Sequence, residues 1–350
     1  MTPAPRDGRR LRIAIVKLSS LGDVIHALPV ARALRRAYPA AHLTWVVEAR
    51  EYALLRDHPD LDAVLSVDTR LWRRLIRRPV GARLVWRKLA RLQARIRASR
   101  FDVTLDVQGL IKSGLLTAST GAPLRIGFSP AWCGEWPNSL FTNRHVTPPE
   151  HALHVVEQYL ALLEPLGVAE AKPEFHIPAR PEAERRMEEF LGGQGITRHD
   201  TLIALNPGAG RANKRWPVPH MRALAERLGA EPGVHVLLLW GPGELDMARQ
   251  IRDGLSVKAI LAPPTDLDEL TALLRRSALL VANDTGPLHL AAALGTPSLG
   301  LYGPTPAQRN RPYGPHGRGL QSPDGTMGGL EPGLAFDAAL SLLGARGAAS

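Results

Sequence analysis

Short β-branched and aliphatic runs alternate with longer helical patterns along almost the whole of this 350-residue chain. LRIAIVK (11–17), HLTWVVE (42–48), AVLSVD (63–68) and FDVTLDVQ (101–108) read as strands. TLIALNP (201–207), VHVLLLWG (234–241), LLVAND (279–284) and PSLGLYG (297–303) do so in the second half. Between them lie helical stretches such as VIHALPVARALRRAYP and HMRALAERLGA. Alternating β and α elements predict parallel sheets with helices on both faces. Strands that are apolar almost throughout agree, because a parallel strand is covered on both sides.

At roughly 150 residues per domain, the length suggests two such units. The periodicity lapses in EPLGVAEAKPEFHIPAR, where Pro and small residues gather. The expected division is an N-terminal domain over 1–165, a linker over 166–180, a second domain over 181–330 and a C-terminal helix and tail over 331–350. The Gly/Pro-rich stretch from Gly314 to Gly333 reads as loop, and a last helix is expected at about Leu334–Leu343.

The chain carries 44 Lys+Arg against 33 Asp+Glu, a net charge of +11. The excess is confined to residues 1–165, with 25 basic and 14 acidic side chains; the remainder has 19 of each. Two halves with different charge suggest two ligand duties. The single cysteine, Cys133, excludes an intramolecular disulfide framework and a cysteine-rich zinc site. The first apolar run is too short for a signal-peptide core, and no stretch reaches the roughly 20 apolar residues of a membrane span. A cytoplasmic protein is expected, free to sit on a membrane surface.

In open α/β sheets ligands bind beyond the carboxyl ends of the strands, and four motifs stand there. In Lys17-Leu-Ser-Ser-Leu-Gly-Asp23, Ser20-x-x-Asp23 is a capping box, and a carboxylate in the first helical turn suits the dipole. The same dipole holds Asp23 ionised, as a general base requires; the two readings are compatible. After the 201–207 strand, Asn206-Pro-Gly-Ala-Gly-Arg-Ala-Asn-Lys214-Arg-Trp-Pro217 joins small residues to positive charge. It is either an exposed turn or a place where backbone approaches an anion. Glu244, in Trp240-Gly-Pro-Gly-Glu244, pairs with a helix start or holds ribose hydroxyls. The most specific motif is Asn283-Asp-Thr-Gly-Pro-Leu-His289. Asp284 or Thr285 can cap a helix, Pro287 suits its first turn, and the amides around Thr285–Gly286 make an anion site within reach of His289.

Other patterns carry less. Asp60-Leu-Asp62 and Asp266-Leu-Asp268 match the Asp-x-Asp triplet of metal-dependent sugar transferases, but Asp266 also sits where it would cap a helix. His151-x-x-His154 lacks a further ligand. Gly208-x-Gly210 is only part of a dinucleotide fingerprint, and the chain contains no Gly-Lys pair, so no Walker A loop. Residues 69–101 carry twelve basic side chains and no acidic one. Val85, Leu89, Leu92 and Ile96 mark one helical face, after a break expected at Pro79-Val-Gly81.

Together VKLSSLGDVIHALP (16–29), DVQGLIKS (106–113), FTNR (141–144), NKRWP (213–217) and NDTGPLHLAAALGTP (283–297) resemble the bacterial lipopolysaccharide heptosyltransferases, glycosyltransferase family 9. The resemblance runs from Ile13 to Tyr313, and Lys-x-Ser-Ser-x-Gly-Asp-Val looks like the type I form. It implies the GT-B architecture, two Rossmann-like doubly wound parallel-sheet domains facing a central cleft, with acceptor on the first and ADP-sugar on the second. Asp23 matches the catalytic base. Lys214, Glu244, Asp284, Thr285, Gly286 and His289 match donor-site positions, and Lys17, Ser19, Gln108, Lys112 and Arg144 fall in motifs of the acceptor side. Two departures stand out. The loop before Glu244 is one residue shorter than the family pattern, and Ala209 and Gly210 occupy places where hydroxyl residues often sit.

The implied reaction is inverting transfer of L-glycero-D-manno-heptose from ADP-heptose to the Kdo of Kdo-lipid A, with no metal or other cofactor. The implied partners are the nucleotide sugar and an anionic, lipid-linked acceptor at the cytoplasmic face of the inner membrane. On that reading Arg73, Arg74, Arg77 and Arg78 form a basic patch for lipid phosphates. The alternatives are a family member of type II-like specificity, a nucleotide-binding oxidoreductase, and a basic nucleic-acid-binding protein. The incomplete glycine fingerprint disfavours the oxidoreductase. The basic stretch lacks the interleaved aromatics of RNA-binding modules, so no nucleic-acid partner is expected.

Overall fold

The computed structural model describes residues 9–69, 79–168 and 171–347. The chain forms two compact units, Met1–Pro178 and Ala179–Ser350. The strands described in the first are β1 (Arg12–Val16), β2 (His42–Glu48), β3 (Ala63–Val67), β4 (Val103–Asp106), β5 (Leu124–Phe128) and β6 (Arg144–Val146), in the order β3-β2-β1-β4-β5-β6. In the second they are β7 (Thr201–Asn206), β8 (Val234–Leu238), β9 (Ala259–Leu261), β10 (Leu279–Asn283), β11 (Ser298–Tyr302) and β12 (Gly317–Gln321), in the order β12-β11-β10-β7-β8-β9. Every neighbouring pair is parallel. The two units therefore repeat one doubly wound topology. The strand order reverses between β1 and β4 and again between β7 and β10, the crevices where such sheets bind ligands.

Burial explains the parallel sheets. Ile13, Ala14, Ile15 and Val16 of β1 are fully covered, as are Leu279 to Ala282 of β10. In the second unit Leu205, Val281 and Leu301 pack with Trp216, whose indole N–H donates to the Leu330 carbonyl at 2.9 Å. The closing helix, Pro332–Gly347, adds Ala335, Phe336 and Ala339 to that core.

One expectation is corrected. The stretch Gly314–Gly333 is not all loop, because Gly317–Gln321 pairs with β11 as an edge strand. A Cβ on Gly317 would stand 2.2 Å from the Pro312 carbonyl oxygen, so its glycine serves close backbone approach. The break expected at Pro79-Val-Gly81 falls where the helix Pro79–Ala98 begins, and its first turn accepts Pro79 because a first-turn N–H has no helical acceptor to lose. Ile96 of that helix is buried and Leu92 packs beside it, as their spacing predicts.

Candidate functional site

The chain leaves β1 at Val16 and passes through Lys17–Ser20 into the helix Leu21–Ala37. Asp23 sits in its first turn. The Ser20 amide and hydroxyl donate to Asp23 Oδ2 at 3.1 and 2.8 Å, which is the capping contact the sequence predicts. The side chain is nevertheless 40% exposed. Its Oδ1 faces the Tyr159 hydroxyl at 3.4 Å and Lys17 Nζ at 3.9 Å. Lys17 is buried and donates to the Tyr159 hydroxyl at 2.8 Å. Burial opposes its positive charge, but Tyr159, Asp23 and, further in, Asp106 more than offset that, so its pKa is raised.

The loop carrying Asp23 is held from across the switch point. Gln108, just past β4, accepts from the Leu18 and Ser19 amides at 2.8 and 3.2 Å and donates to the Ser19 carbonyl at 2.9 Å. Asp106 fixes Gln108 in turn: its buried Oδ1 accepts from the Gln108 and Gly109 amides, and Oδ2 from Asn138 Nδ2 at 2.7 Å. Burial raises the Asp106 pKa against those hydrogen bonds. Lys112 completes the group, with Nζ 3.3 Å from Ser19 Oγ and 3.8 Å from Glu48. Lys17, Ser19, Gln108 and Lys112 are thus gathered beside Asp23. Arg144 is not; it stands exposed at the start of β6, 3.8 Å from Glu164. Tyr159, from the helix Val155–Ala161, belongs to the group although no motif marks it.

The second unit builds its counterpart at the β7/β10 switch point. Asp284 follows β10 and accepts from Lys214 Nζ at 2.6 Å, while its Oδ1 lies 3.3 Å from His289 Nε2. Burial opposes the Asp284 charge; His289 and Lys214 overcome it and lower its pKa to about 2. Thr285 is the N-cap of the helix Gly286–Ala293. Its hydroxyl donates to the Asn283 carbonyl and accepts from Asn206 Nδ2 at 3.2 Å, instead of capping the helix amides. Amides of a first helical turn lack helical acceptors and are suited to an anion. Asn283 ties the two loops together, donating to the Pro207 carbonyl at 2.8 Å and accepting from the Trp216 amide at 3.2 Å.

Glu244 is drawn to the same loops. Its Oε2 accepts from the Gly241 amide at 2.9 Å, and a Cβ on Gly208 would lie 2.0 Å from that oxygen. Gly208 therefore makes room for a carboxylate from the next βα loop. All six sequence-predicted donor residues, Lys214, Glu244, Asp284, Thr285, Gly286 and His289, stand at or beside this switch point.

Other candidates are engaged elsewhere. Asp60 pairs with Arg32 at 2.9 Å, Asp62 with Arg35 at 2.5 Å, and Asp266 accepts from the Glu269 amide at 2.8 Å as a helix cap. His154 caps the helix Val155–Ala161, its Nδ1 accepting from the Val156 amide. Among the described residues no group of three or more His, Cys, Asp or Glu could hold a metal ion. Arg73, Arg74, Arg77 and Arg78 lie outside the described residues.

Comparison with known proteins points the same way. Residues 89–328 match the model of glycosyltransferase family 9 (heptosyltransferase). Lipopolysaccharide heptosyltransferase 1 of Pseudomonas aeruginosa is 33% identical over 84% of this chain and 79% of its own length. That of Escherichia coli K12 is 30% identical over 84% and 88%. The Escherichia coli proteins named heptosyltransferase 3 and 2 match at 26%. Among solved structures, a glycosyl transferase family 9 protein from Veillonella parvula superposes with a TM-score of 0.82 at 26% identity, over 96% of this chain and 97% of that one. Escherichia coli heptosyltransferase WaaC with ADP-2-deoxy-2-fluoro heptose gives 0.77 at 26% identity, over 93% and 98%. The two switch-point clusters thus sit in a chain whose fold and sequence both place it in glycosyltransferase family 9, the heptosyltransferases, to which it belongs.

Proposed function

We propose that this heptosyltransferase moves L-glycero-D-manno-heptose from ADP-heptose to the Kdo of Kdo-lipid A, with inversion at the anomeric carbon. The observation that carries the reading is the pair of switch points. One offers an exposed carboxylate, and the other a cation and helix-start amides suited to a pyrophosphate. The relatives that match at 30–33% identity are named heptosyltransferase 1, and that likeness favours Kdo-lipid A over a heptosylated acceptor.

In the proposed reaction a Kdo hydroxyl attacks the anomeric carbon as the bond to ADP breaks. Asp23 takes the hydroxyl proton, and Ser20 at its other oxygen fixes the carboxylate for that transfer. The departing pyrophosphate gathers negative charge, which Lys214, the Thr285–Gly286 amides and His289 stabilise. To do so Lys214 shares its ammonium between Asp284 and phosphate. Glu244 holds the ribose hydroxyls. With these donors the reaction needs no divalent metal. Lys17, Lys112 and the basic surface of the first unit attract the anionic acceptor, and the enzyme works at the cytoplasmic face of the inner membrane. Among the described residues no helix is long and apolar enough to cross it.

The test is a donor screen read by mass spectrometry: purified protein, Kdo-lipid A, and ADP-heptose against UDP- and GDP-sugars and NAD. A heptose adduct from ADP-heptose alone is expected, and Asp23→Ala should lower its rate by about 10²–10⁴-fold while ADP still binds. Full turnover by a folded Asp23→Ala protein would remove Asp23 as the base.

A further inference from the structure

Large apolar side chains are seldom left in water, and when they gather on one surface they mark a contact. Nine described residues of this kind are exposed, and five of them, Ile111, Leu115, Trp132, Trp136 and Leu140, lie on three adjoining elements. Ile111 and Leu115 come from the helix Ile111–Ser119. Trp132 ends the 3₁₀ turn Pro130–Trp132, and Trp136 and Leu140 belong to the 3₁₀ turn Trp136–Phe141. Trp136 is 63% and Leu140 72% exposed.

These elements are fixed to one another from beneath. Asn138 Nδ2 donates to the Leu110 carbonyl at 2.9 Å and to buried Asp106. Glu135 accepts from the Ile111 amide at 2.7 Å, which ties the segment before Trp136 to the helix start. A Cβ on Gly114 would fall 2.5 Å from the Phe141 ring, so helix and turn are in direct contact. The exposed side chains therefore ride on a rigid base.

The charge beside the patch selects its partner. The helix Pro79–Ala98 touches the helix Ile111–Ser119, has six basic residues and no acidic one, and exposes Arg87, Lys88, Arg91 and Arg95 on one face. Tryptophans and leucines beside a row of cations suit a boundary between acyl chains and anionic head groups. The patch also begins next to Lys112, which reaches the loop carrying Asp23.

We infer that the surface formed by Ile111, Leu115, Trp132, Trp136 and Leu140 is the membrane anchor of the first unit. It inserts these side chains into an anionic bilayer while Arg87, Lys88, Arg91 and Arg95 lie on the head groups. The inference rests on the membrane-surface part of the proposed function and says which residues enter the lipid. The patch places the Asp23 loop near the plane in which a lipid-linked acceptor is presented.

Vesicles of phosphatidylethanolamine and phosphatidylglycerol, some with brominated acyl chains, test it on the full chain. Wild-type protein should bind them, bind pure phosphatidylcholine more weakly, and lose tryptophan fluorescence to the bromines. The pair Trp136→Ser and Leu140→Ser should weaken binding by about tenfold or more. The pair Trp132→Phe and Trp136→Phe should still bind but lose most of the quenching. ADP affinity, unchanged in all of them, reports folding. Equal vesicle binding and equal quenching in the serine pair would overturn the anchor. So would wild-type protein that ignores the vesicles, or a patch that is covered by a second copy and whose serine pair only dissociates a dimer. Heptose transfer is read separately on a soluble Kdo acceptor, so failure of the anchor and failure of the proposed reaction give different results.

Discussion

The Lys17 ammonium donates to the Tyr159 hydroxyl at 2.8 Å, although 142 residues separate them. An ammonium has no lone pair, so Lys17 must be the donor, and the phenolic hydrogen is left to point toward Asp23 Oδ1, 3.4 Å away. The contact joins the β1 end to the helix Val155–Ala161. It orders one carboxylate oxygen from behind, as Ser20 orders the other.

Tyr159→Phe should therefore affect both stability and turnover. Removing the hydroxyl strips a buried ammonium of an acceptor, a loss of about 1–3 kcal/mol. It also frees Asp23 Oδ1 to rotate. We expect a lower kcat with the KM for ADP-heptose unchanged, because the donor's residues lie in the other unit. A folded Tyr159→Phe enzyme with wild-type kcat would show that Asp23 needs no support from Tyr159.

Lys214 and the amides at Thr285–Gly286 should serve the pyrophosphate without a metal. Lys214→Ala is expected to weaken ADP binding by about tenfold or more, since a hydrogen bond to a charged group contributes about 1.5–3 kcal/mol. Transfer should persist in EDTA. Activity lost in EDTA and restored by Mg²⁺ or Mn²⁺ would contradict this, and calorimetry with ADP would expose an unaffected Lys214 variant.

Some of this was legible from residue order alone. β2 begins and ends where its run HLTWVVE predicts, and the interior strands β1, β7 and β10 are continuous apolar runs that declare themselves. Three of the four edge strands do not, β3 being the exception. β6 is Arg144–Val146, β9 is Ala259–Leu261 and β12 carries two glycines, so each is too short or too poor in side chains for periodicity to act on. The switch-point residues of the second unit lie within compact motifs and were readable. Tyr159 was not, because its role depends on a contact across 142 residues and its own helix carries no signature. Gln108 shows a different limit. The motif marks it, but its amide bonds to the Leu18 and Ser19 backbone, a positioning duty that spacing cannot reveal.

Acid should act on Asp284 in a defined window. Its folded pKa of about 2 lies below the ordinary aspartate value, so the unfolded chain binds the proton more readily. The stabilisation is present above about pH 4 and is lost as pH falls through about 2, with a magnitude of about 2 kcal/mol. Asp284→Asn should be less stable than wild type at neutral pH, and the gap should narrow on going from pH 4 to pH 2. Urea midpoints across that range measure it. A gap that stays constant would mean that His289 and Lys214 do not hold the carboxylate down.

Gly208→Ala tests the second unit more finely than removal of a charge. The added Cβ would lie 2.0 Å from Glu244 Oε2 and 2.3 Å from its carboxyl carbon, well inside contact distance. Glu244 is the far end of a flexible side chain, so it can swing away, and the fold should survive with a stability change within about 1 kcal/mol. The swing would break its bond to the Gly241 amide and remove the carboxylate from the place assigned to the ribose. Gly208→Ala should therefore reproduce most of the loss of ADP affinity expected of Glu244→Ala, and the double variant should be little worse than either single one. Contacting residues are non-additive in this way, whereas independent sites would add. If the two losses add in full, Gly208 acts on the donor through its own backbone, and the carboxylate plays a separate part.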